Sequence, residues 1–272
     1  MAFISCVSGY QYAMPVTNES LLGWNNSPNP AMSVSGKGIH PYIGIAYSDK
    51  QNDSSFDDIE RTRVVNINAG MVCQPDLGQN ELVKPFVGFN LGGCLISSTI
   101  SLTNATQTSL RENYIYVDRD YNDYKIETLI KPGFVVKTDD RLAVLYLLGI
   151  GQYEWGEFYD FREKVDGIGN IYNMAGERFT YGFGLGGEYQ MGIVDEYDVG
   201  FSCEVGSLFN ITQSIAFEDR DQNIDELVVY GKGDFYRMNI YKFGPYIDFK
   251  KLRADFSYSS MGKYIFQITY RL

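Results

Sequence analysis

Residues 178–192 alternate strictly between large apolar side chains and small or polar ones. Phe179, Tyr181, Phe183, Leu185, Tyr189 and Met191 interleave with Thr180, Gly182, Gly184, Gly186, Glu188 and Gln190. After Val194-Asp195-Glu196 the rhythm returns, with Tyr197, Val199, Phe201, Cys203, Val205 and Phe209 against Asp198, Gly200, Ser202, Glu204, Gly206 and Asn210. A period of two puts successive side chains on opposite faces of a sheet. One face is aromatic and aliphatic, while the other mixes carboxylates with residues that have no side chain. A polar face in open water has no need of a run of glycines. A narrow hydrated barrel interior does, with hydrocarbon against the opposite face. The pattern predicts an all-β fold, a closed antiparallel up-and-down transmembrane β-barrel.

Similar runs at 37–48, 62–74, 83–101, 124–137, 141–156, 178–192, 197–214, 229–249, 252–260 and 263–272 predict about ten strands, with eight and twelve as alternatives. Residues 36–272 form the barrel in this reading, and the polar segment 1–35 is a tail or a plug. The run 229–249 changes face near Tyr241-Lys242, which predicts a bulge. Connections alternate between short ones, such as 138–140 and 250–251, and long polar ones at 49–61, 103–123, 157–177 and 215–228. Bacterial barrels place short turns in the periplasm and long loops outside. The segments 49–61, 103–124, 157–176 and 216–226 carry net charges of −3, −2, −2 and −4, which accounts for the whole excess of −11.

That negative balance argues against a nucleic-acid partner, which requires a basic footprint. The longest nearly unbroken apolar stretch, Leu142 to Gly151, is about half of what a spanning helix needs. The four cysteines (Cys6, Cys73, Cys94 and Cys203) lack metal-site spacing, and strand phase points Cys94 inward and Cys73 and Cys203 outward. Mostly free thiols are expected. The opening Met1-Ala2-Phe3-Ile4-Ser5 lacks the basic and apolar regions of a complete export signal, so a leader is expected to be missing from this sequence. Phe3-Ile4-Ser5-Cys6 is a degenerate lipobox, which leaves open whether Cys6 is acylated.

The carboxyl terminus narrows the class. Tyr264, Phe266, Ile268, Tyr270 and Leu272 alternate with Ile265, Gln267, Thr269 and Arg271. The ending Tyr270-Arg271-Leu272 resembles the last strand of bacterial outer-membrane barrels, although Leu272 stands where Phe is usual. The hairpin 252–262 resembles that of PorV-like and FadL-related barrels, and the size and glycine/aromatic texture resemble small OmpA-like or opacity-type barrels. The resemblance implies the bacterial outer membrane, surrounding lipid and lipopolysaccharide as partners, and an assembly machinery that reads the terminal strand. It implies no cofactor, and a monomer is expected.

Gly182-Phe183-Gly184-Leu185-Gly186-Gly187 satisfies GxGxxG but lies within a strand with no helix behind it, so it reads as lumen glycines and not as a dinucleotide site. His40, the only histidine, would have to serve any lipid-modifying hydrolase on this scaffold, but it falls at the periplasmic end. Asp118, Asp120 and Asp123, and then Asp219, Asp221 and Asp225, put oxygens at alternate positions in two loops, as a divalent ion requires, although neither loop has the spacing of an EF-hand. Lys125, Glu127, Glu188, Asp198, Glu204, Arg237 and Arg271 fall on the lumen face. They predict either an ion-pair network that plugs the barrel or the lining of a narrow solute pathway. Trp24, Trp155 and the tyrosines are candidates for interfacial girdles. The sequence therefore points to a non-enzymatic barrel presenting acidic loops, as a structural protein, surface antigen or adhesin. A narrow channel or carrier is the second reading, and a soluble lipocalin-like barrel is the alternative fold.

Overall fold

The computed structural model describes residues 38–51, 59–75, 82–100, 119–137, 141–157, 171–172, 178–194, 197–210, 216–217, 236–249, 251–259 and 263–272. They form strands β1 (Gly38–Gln51), β2 (Ile59–Gln74), β3 (Val83–Ile100), β4 (Arg119–Lys137), β5 (Arg141–Gly156), β6 (Ile171–Tyr172), β7 (Arg178–Val194), β8 (Tyr197–Asn210), β9 (Ala216–Phe217), β10 (Tyr236–Phe249), β11 (Leu252–Ser259) and β12 (Lys263–Arg271). Strands β6 and β9 pair only with each other. The other ten close into a barrel in chain order, with β12 returning to β1. The seam pairs Tyr42 with Arg271 through to Asp49 with Tyr264, and the Leu272 amide donates to the Pro41 carbonyl at 3.0 Å. Closure leaves the barrel sheet without an edge of unpaired amides. The segment 1–35 lies outside the described residues.

The two faces of this sheet are reversed relative to a water-soluble protein. Leu145, Ile67 and Phe183 are 67%, 66% and 63% exposed, while Arg253 and Lys125 are buried at 0% and 1%. Outward charges such as Asp49, Arg63 and Arg141 stand near strand ends and leave an apolar band between them. Aromatic pairs border the band. Trp155 stacks on Tyr124 toward the long connections, and Tyr197 meets Phe249 at the short-turn end. Trp24 lies outside the described residues. This is the architecture of an outer-membrane barrel.

Following the registers from Gly38 through Tyr146 and Lys242 leads back to β1 about twelve residues further along, a stagger that tilts ten strands by about 40° and leaves a narrow interior. Three inward tyrosines fit there because each faces a glycine on the neighbouring strand: Tyr42 with Gly70, Tyr146 with Gly186, and Tyr246 with Gly200. A Cβ on Gly70 would fall 2.1 Å from the Tyr42 hydroxyl oxygen, and one on Gly186 or Gly200 would fall 2.2 Å from ring carbons of Tyr146 or Tyr246. The rings therefore lie across bare backbone.

Several boundaries differ from the sequence reading. β4 begins at Arg119, so Asp120 and Asp123 belong to a strand, and β10 begins at Tyr236. No bulge occurs at Tyr241-Lys242. Pairing of β10 with β8 runs without a break from Tyr236 to Asp248, and side chains alternate from exposed Asn239 through buried Ile240 and Lys242 to exposed Phe243. The apparent change of face came from Ile240 pointing inward among polar residues. Register shifts occur at Ile59/Arg61 and Gly192/Val194 instead.

Filling a tyrosine's seat should be costly. Gly186→Ala is expected to lower stability by about 1–3 kcal/mol, as overpacked cores do. Adding Tyr146→Ala should recover part of that loss, so the double variant is more stable than the sum of the two single changes. Urea unfolding of refolded barrels in detergent measures both.

Candidate functional site in the lumen

The interior is filled by side chains from nearly every strand, arranged as ion pairs and apolar clusters. At its centre Lys131 of β4 donates to Glu204 Oε1 of β8 at 2.6 Å, and the Tyr146 hydroxyl donates to the same oxygen at 2.7 Å. Lys242 of β10 approaches Glu204 Oε2 at 3.4 Å. One carboxylate thus gathers two ammonium groups and a phenol from three other strands. Lys131 also sits 4.7 Å from the centroid of the Tyr146 ring, a cation–π contact within a dry surrounding.

A second group centres on Arg253 of β11. Its Nε and Nη2 donate to Asp255 at 2.9 and 2.7 Å, and Nη1 reaches Glu188 of β7 at 3.3 Å. The guanidinium stacks 3.2 Å from the centroid of Tyr246, which Gly200 seats. Planar, forked and weakly hydrated, an arginine suits two carboxylates and a ring at once. The cleft between the two groups, lined by Tyr146, Glu188, Ser202, Glu204, Lys242 and Asp255 among others, has room for about one water. Toward the short turns Arg271 meets Asp248 at 3.3 Å, and Gln190 donates to Asp198.

Toward the long connections lies a third group. Lys125 pairs with Glu127 at 3.3 Å, Asn66 Nδ2 donates to Glu127 Oε1 at 2.9 Å, and Gln152 donates to its other oxygen at 3.4 Å. Between and below these groups pack two apolar clusters. One holds Leu129, Leu148, Ile150, Leu208 and Ile240, and the other includes Tyr42, Phe86, Leu142 and Tyr146. Burying an isolated charge costs several kcal/mol, so such groups persist inside only when paired.

Six of the seven lumen residues singled out in the sequence (Lys125, Glu127, Glu188, Asp198, Glu204 and Arg271) stand on inward positions with these partners. Arg237 pairs in register with Phe209, and its side chain lies outside the described residues. Asp123 is buried on the inward face of β4 and is not a loop ligand, while the side chain of Asp120 lies outside the described residues. Asp118, Asp219, Asp221 and Asp225 lie outside the described residues altogether. No cluster of three or more His, Cys, Asp or Glu among the described residues could hold a metal ion. His40 stands near the short-turn end of β1, opposite Val72. Tyr264, Phe266, Ile268 and Tyr270 form the outward row of β12, and Leu272 follows its end. Cys73, Cys94 and Cys203 are thiols, with Cys94 buried and Cys203 exposed, while Cys6 lies outside the described residues.

The sequence reading missed Lys131, Lys242, Asp248, Arg253 and Asp255. For Arg253 and Asp255 the signal was present, since Arg253, Asp255, Ser257 and Ser259 alternate with Leu252, Ala254, Phe256 and Tyr258. Lys242 was hidden by the assumed bulge, and Lys131 by the inward Leu129 that interrupts the polar row of β4.

Fold and lumen together define a closed ten-stranded barrel of the outer-membrane type with a packed, charged interior. Among solved structures, the chain is similar to an outer membrane channel from Pseudomonas putida F1 (11% identity, 90% of this chain and 100% of that one, TM-score 0.40). It is also similar to the transport unit of the autotransporter AIDA-I from Escherichia coli (8% identity, 97% and 96%, TM-score 0.45) and to LpxR from Salmonella typhimurium (6% identity, 84% and 99%, TM-score 0.38). No family model matches the chain, and no curated protein matches it in sequence.

Removing the hub carboxylate takes the shared ion-pair partner from Lys131 and Lys242. Glu204→Leu is expected to destabilise the barrel by about 3–5 kcal/mol, the usual result of breaking a buried ion pair from one side. Replacing Glu204, Lys131 and Lys242 together with apolar residues should cost less than Glu204→Leu alone. Chemical unfolding of the purified variants ranks them.

Proposed function

We propose that the chain is an outer-membrane barrel closed to solutes, which works without catalysis as a rigid anchor for the long acidic segments between its strands. The observation that carries this reading is the pair of buried ionic groups across the lumen, Lys131–Glu204–Lys242 on three strands and Glu188–Arg253–Asp255 on two more, with a cleft between them that has room for about one water. An anchor benefits from such ties because they hold non-adjacent strands at a fixed distance. A pathway for solutes would need those charges to line a continuous gap, which paired and buried side chains do not provide. The outward row of β12 is the feature an insertion machinery would read, and lipid and lipopolysaccharide are the partners its apolar band fits. Surface antigen, adhesin and envelope-stabilising roles all use this same arrangement.

Two measurements test the proposal. The folded barrel should run faster on unheated than on boiled SDS gels, and a heat-insensitive, detergent-free monomer would contradict a membrane location. In planar bilayers the native chain should give no steady current steps, whereas Arg253→Ala should give intermittent openings. Regular steps from the native chain would establish a channel in place of an anchor.

A further inference from the structure

The apolar belt around this barrel does not have one height. On β4, β5, β7 and β8 the outward rows run from Tyr124 to Val136, Ala143 to Trp155, Phe179 to Met191 and Tyr197 to Phe209, and no charged residue interrupts them. On β10, β11, β12, β1 and β2 they run only from Tyr241 to Phe249, Leu252 to Tyr258, Tyr264 to Tyr270, Ile39 to Tyr47 and Val65 to Cys73. A strand tilted by about 40° climbs roughly 2.5 Å per residue along the barrel axis. The first group is therefore about 30 Å tall and the second about 15–20 Å, on either side of the roughly 25 Å usual for such belts.

Charge and strand length end the short rows. On β1 and β2 the next outward residues are Asp49 and Arg63, and β11 and β12 themselves stop at Ser259 and Lys263. Asp49 also holds the Arg61 guanidinium, so this border is ionic. In the ring of ten strands β7 stands directly opposite β1. Half a circuit uses half of the stagger of about twelve residues, which sets Asp49 at the height of Tyr181. At that one height the barrel shows a carboxylate on one wall and, on the other, Tyr181 stacked on Phe209 with Phe179 above it.

The aromatic girdle makes the same step. On the tall wall its upper members include Trp155, stacked on Tyr124. On the short wall they are Tyr258 and Tyr264, with ring centroids 5.4 Å apart, and Tyr47, whose hydroxyl donates to Asp49 at 3.3 Å. Strand β12 faces β5 across the ring, and by the same registers Tyr264 lies roughly 10 Å below Trp155. Such rings settle at the headgroup level, so the water boundary is lower on the short wall. The lower edges of the two groups differ far less, on average by roughly 2 Å. Tilting the barrel cannot level the belt, because lowering the upper edge of the tall wall lowers its bottom edge as well.

Given the outer-membrane placement proposed above, we propose that the barrel thins the surrounding bilayer along β11, β12 and β1, mostly from the long-connection side, and that this wall gathers lipids with short acyl chains. A hydrophobic face shorter than the hydrocarbon draws the bilayer thinner around it. The charges of Asp49, Arg61 and Arg63 oppose the alternative, in which thick hydrocarbon rises past the border and buries them. A second copy is a poorer cover for this wall. It would present the same short belt, and the lipid around the pair would still have to thin.

The test is tryptophan quenching in the full chain, refolded into vesicles that mix dimyristoleoyl and dierucoyl phosphatidylcholine, a short-chain and a long-chain lipid. Bromine is carried by one lipid or by the other. In a background of Trp24→Phe and Trp155→Phe, Phe266→Trp reports on the short wall and Phe183→Trp on the tall one, and both barrels should retain the gel shift on heating. The ratio of quenching by short-chain to long-chain bromolipid should be about twofold higher for Phe266→Trp than for Phe183→Trp. Equal ratios, or a higher ratio for Phe183→Trp, overturn the proposal. A dimer in which Phe266→Trp is quenched by neither lipid, while Phe183→Trp is quenched by both, overturns it in favour of a second copy. Failure of the membrane placement gives a separate result, no quenching at either position and no gel shift.

Discussion

A backbone amide in hydrocarbon has no water to turn to, and this chain meets that constraint by joining its last strand to its first. The β1–β12 seam is the step on which everything else depends, because an open sheet of nine pairings would leave two edges unpaired in lipid. Once ten strands close with a stagger of about twelve residues, the diameter is set and the lumen is small. A small lumen restricts which residues face inward. Tyr42, Tyr146 and Tyr246 each need a glycine opposite them, and Gly70, Gly186 and Gly200 make that room.

The same closure explains why the interior is charged. A strand with apolar residues on both faces has no preference between two registers that differ by one residue, and such a slip turns every side chain to the opposite face. Placing Glu204, Lys131, Arg253 and Asp255 inward makes the slipped register prohibitive, since it would move ions into lipid. The paired network contributes less to net stability than its number of contacts implies, because desolvation offsets much of the attraction. Its larger effect is on uniqueness. The Lys131–Glu204, Lys242–Glu204 and Arg253–Glu188 pairs each join different strands, so they form only when those strands are correctly assembled.

Legibility in the sequence follows from how local each signal is. Strands β7, β8 and β12 were readable because their two faces differ at nearly every step, from Phe179 to Met191 and from Tyr264 to Tyr270. Strand β10 was not, since Ile240 points inward and Asn239 outward, and a local reading takes the exchange for a bulge. Asp123 resembled a loop acid because β4 starts with charged and polar residues before its first apolar pair. The tyrosine–glycine seats were beyond reach. Tyr42 and Gly70, or Tyr146 and Gly186, are related by register across strands, and neither residue announces the other in sequence. The central ion pairs share that limit, as nothing near Glu204 indicates that Lys131 is its partner.

The way the lumen is filled shapes the outside of the wall. Where Lys131, Lys242 and Arg253 reach across the interior, long polar side chains occupy the volume and the outer face stays large and apolar. Over the neighbouring stretch the volume is taken instead by Leu129, Leu148, Ile150, Leu208 and Ile240, packed over Gly182, Gly184 and Gly206. Alternation then puts Gly149, Gly151, Ser207 and Asn239 outside, among Ile130, Leu147, Phe209 and Tyr241, so small or polar positions interrupt a large apolar surface there. A sheet has one backbone thickness throughout, so those small residues leave an open dent in the band, with the Ser207–Asn239 hydrogen bond at its polar end.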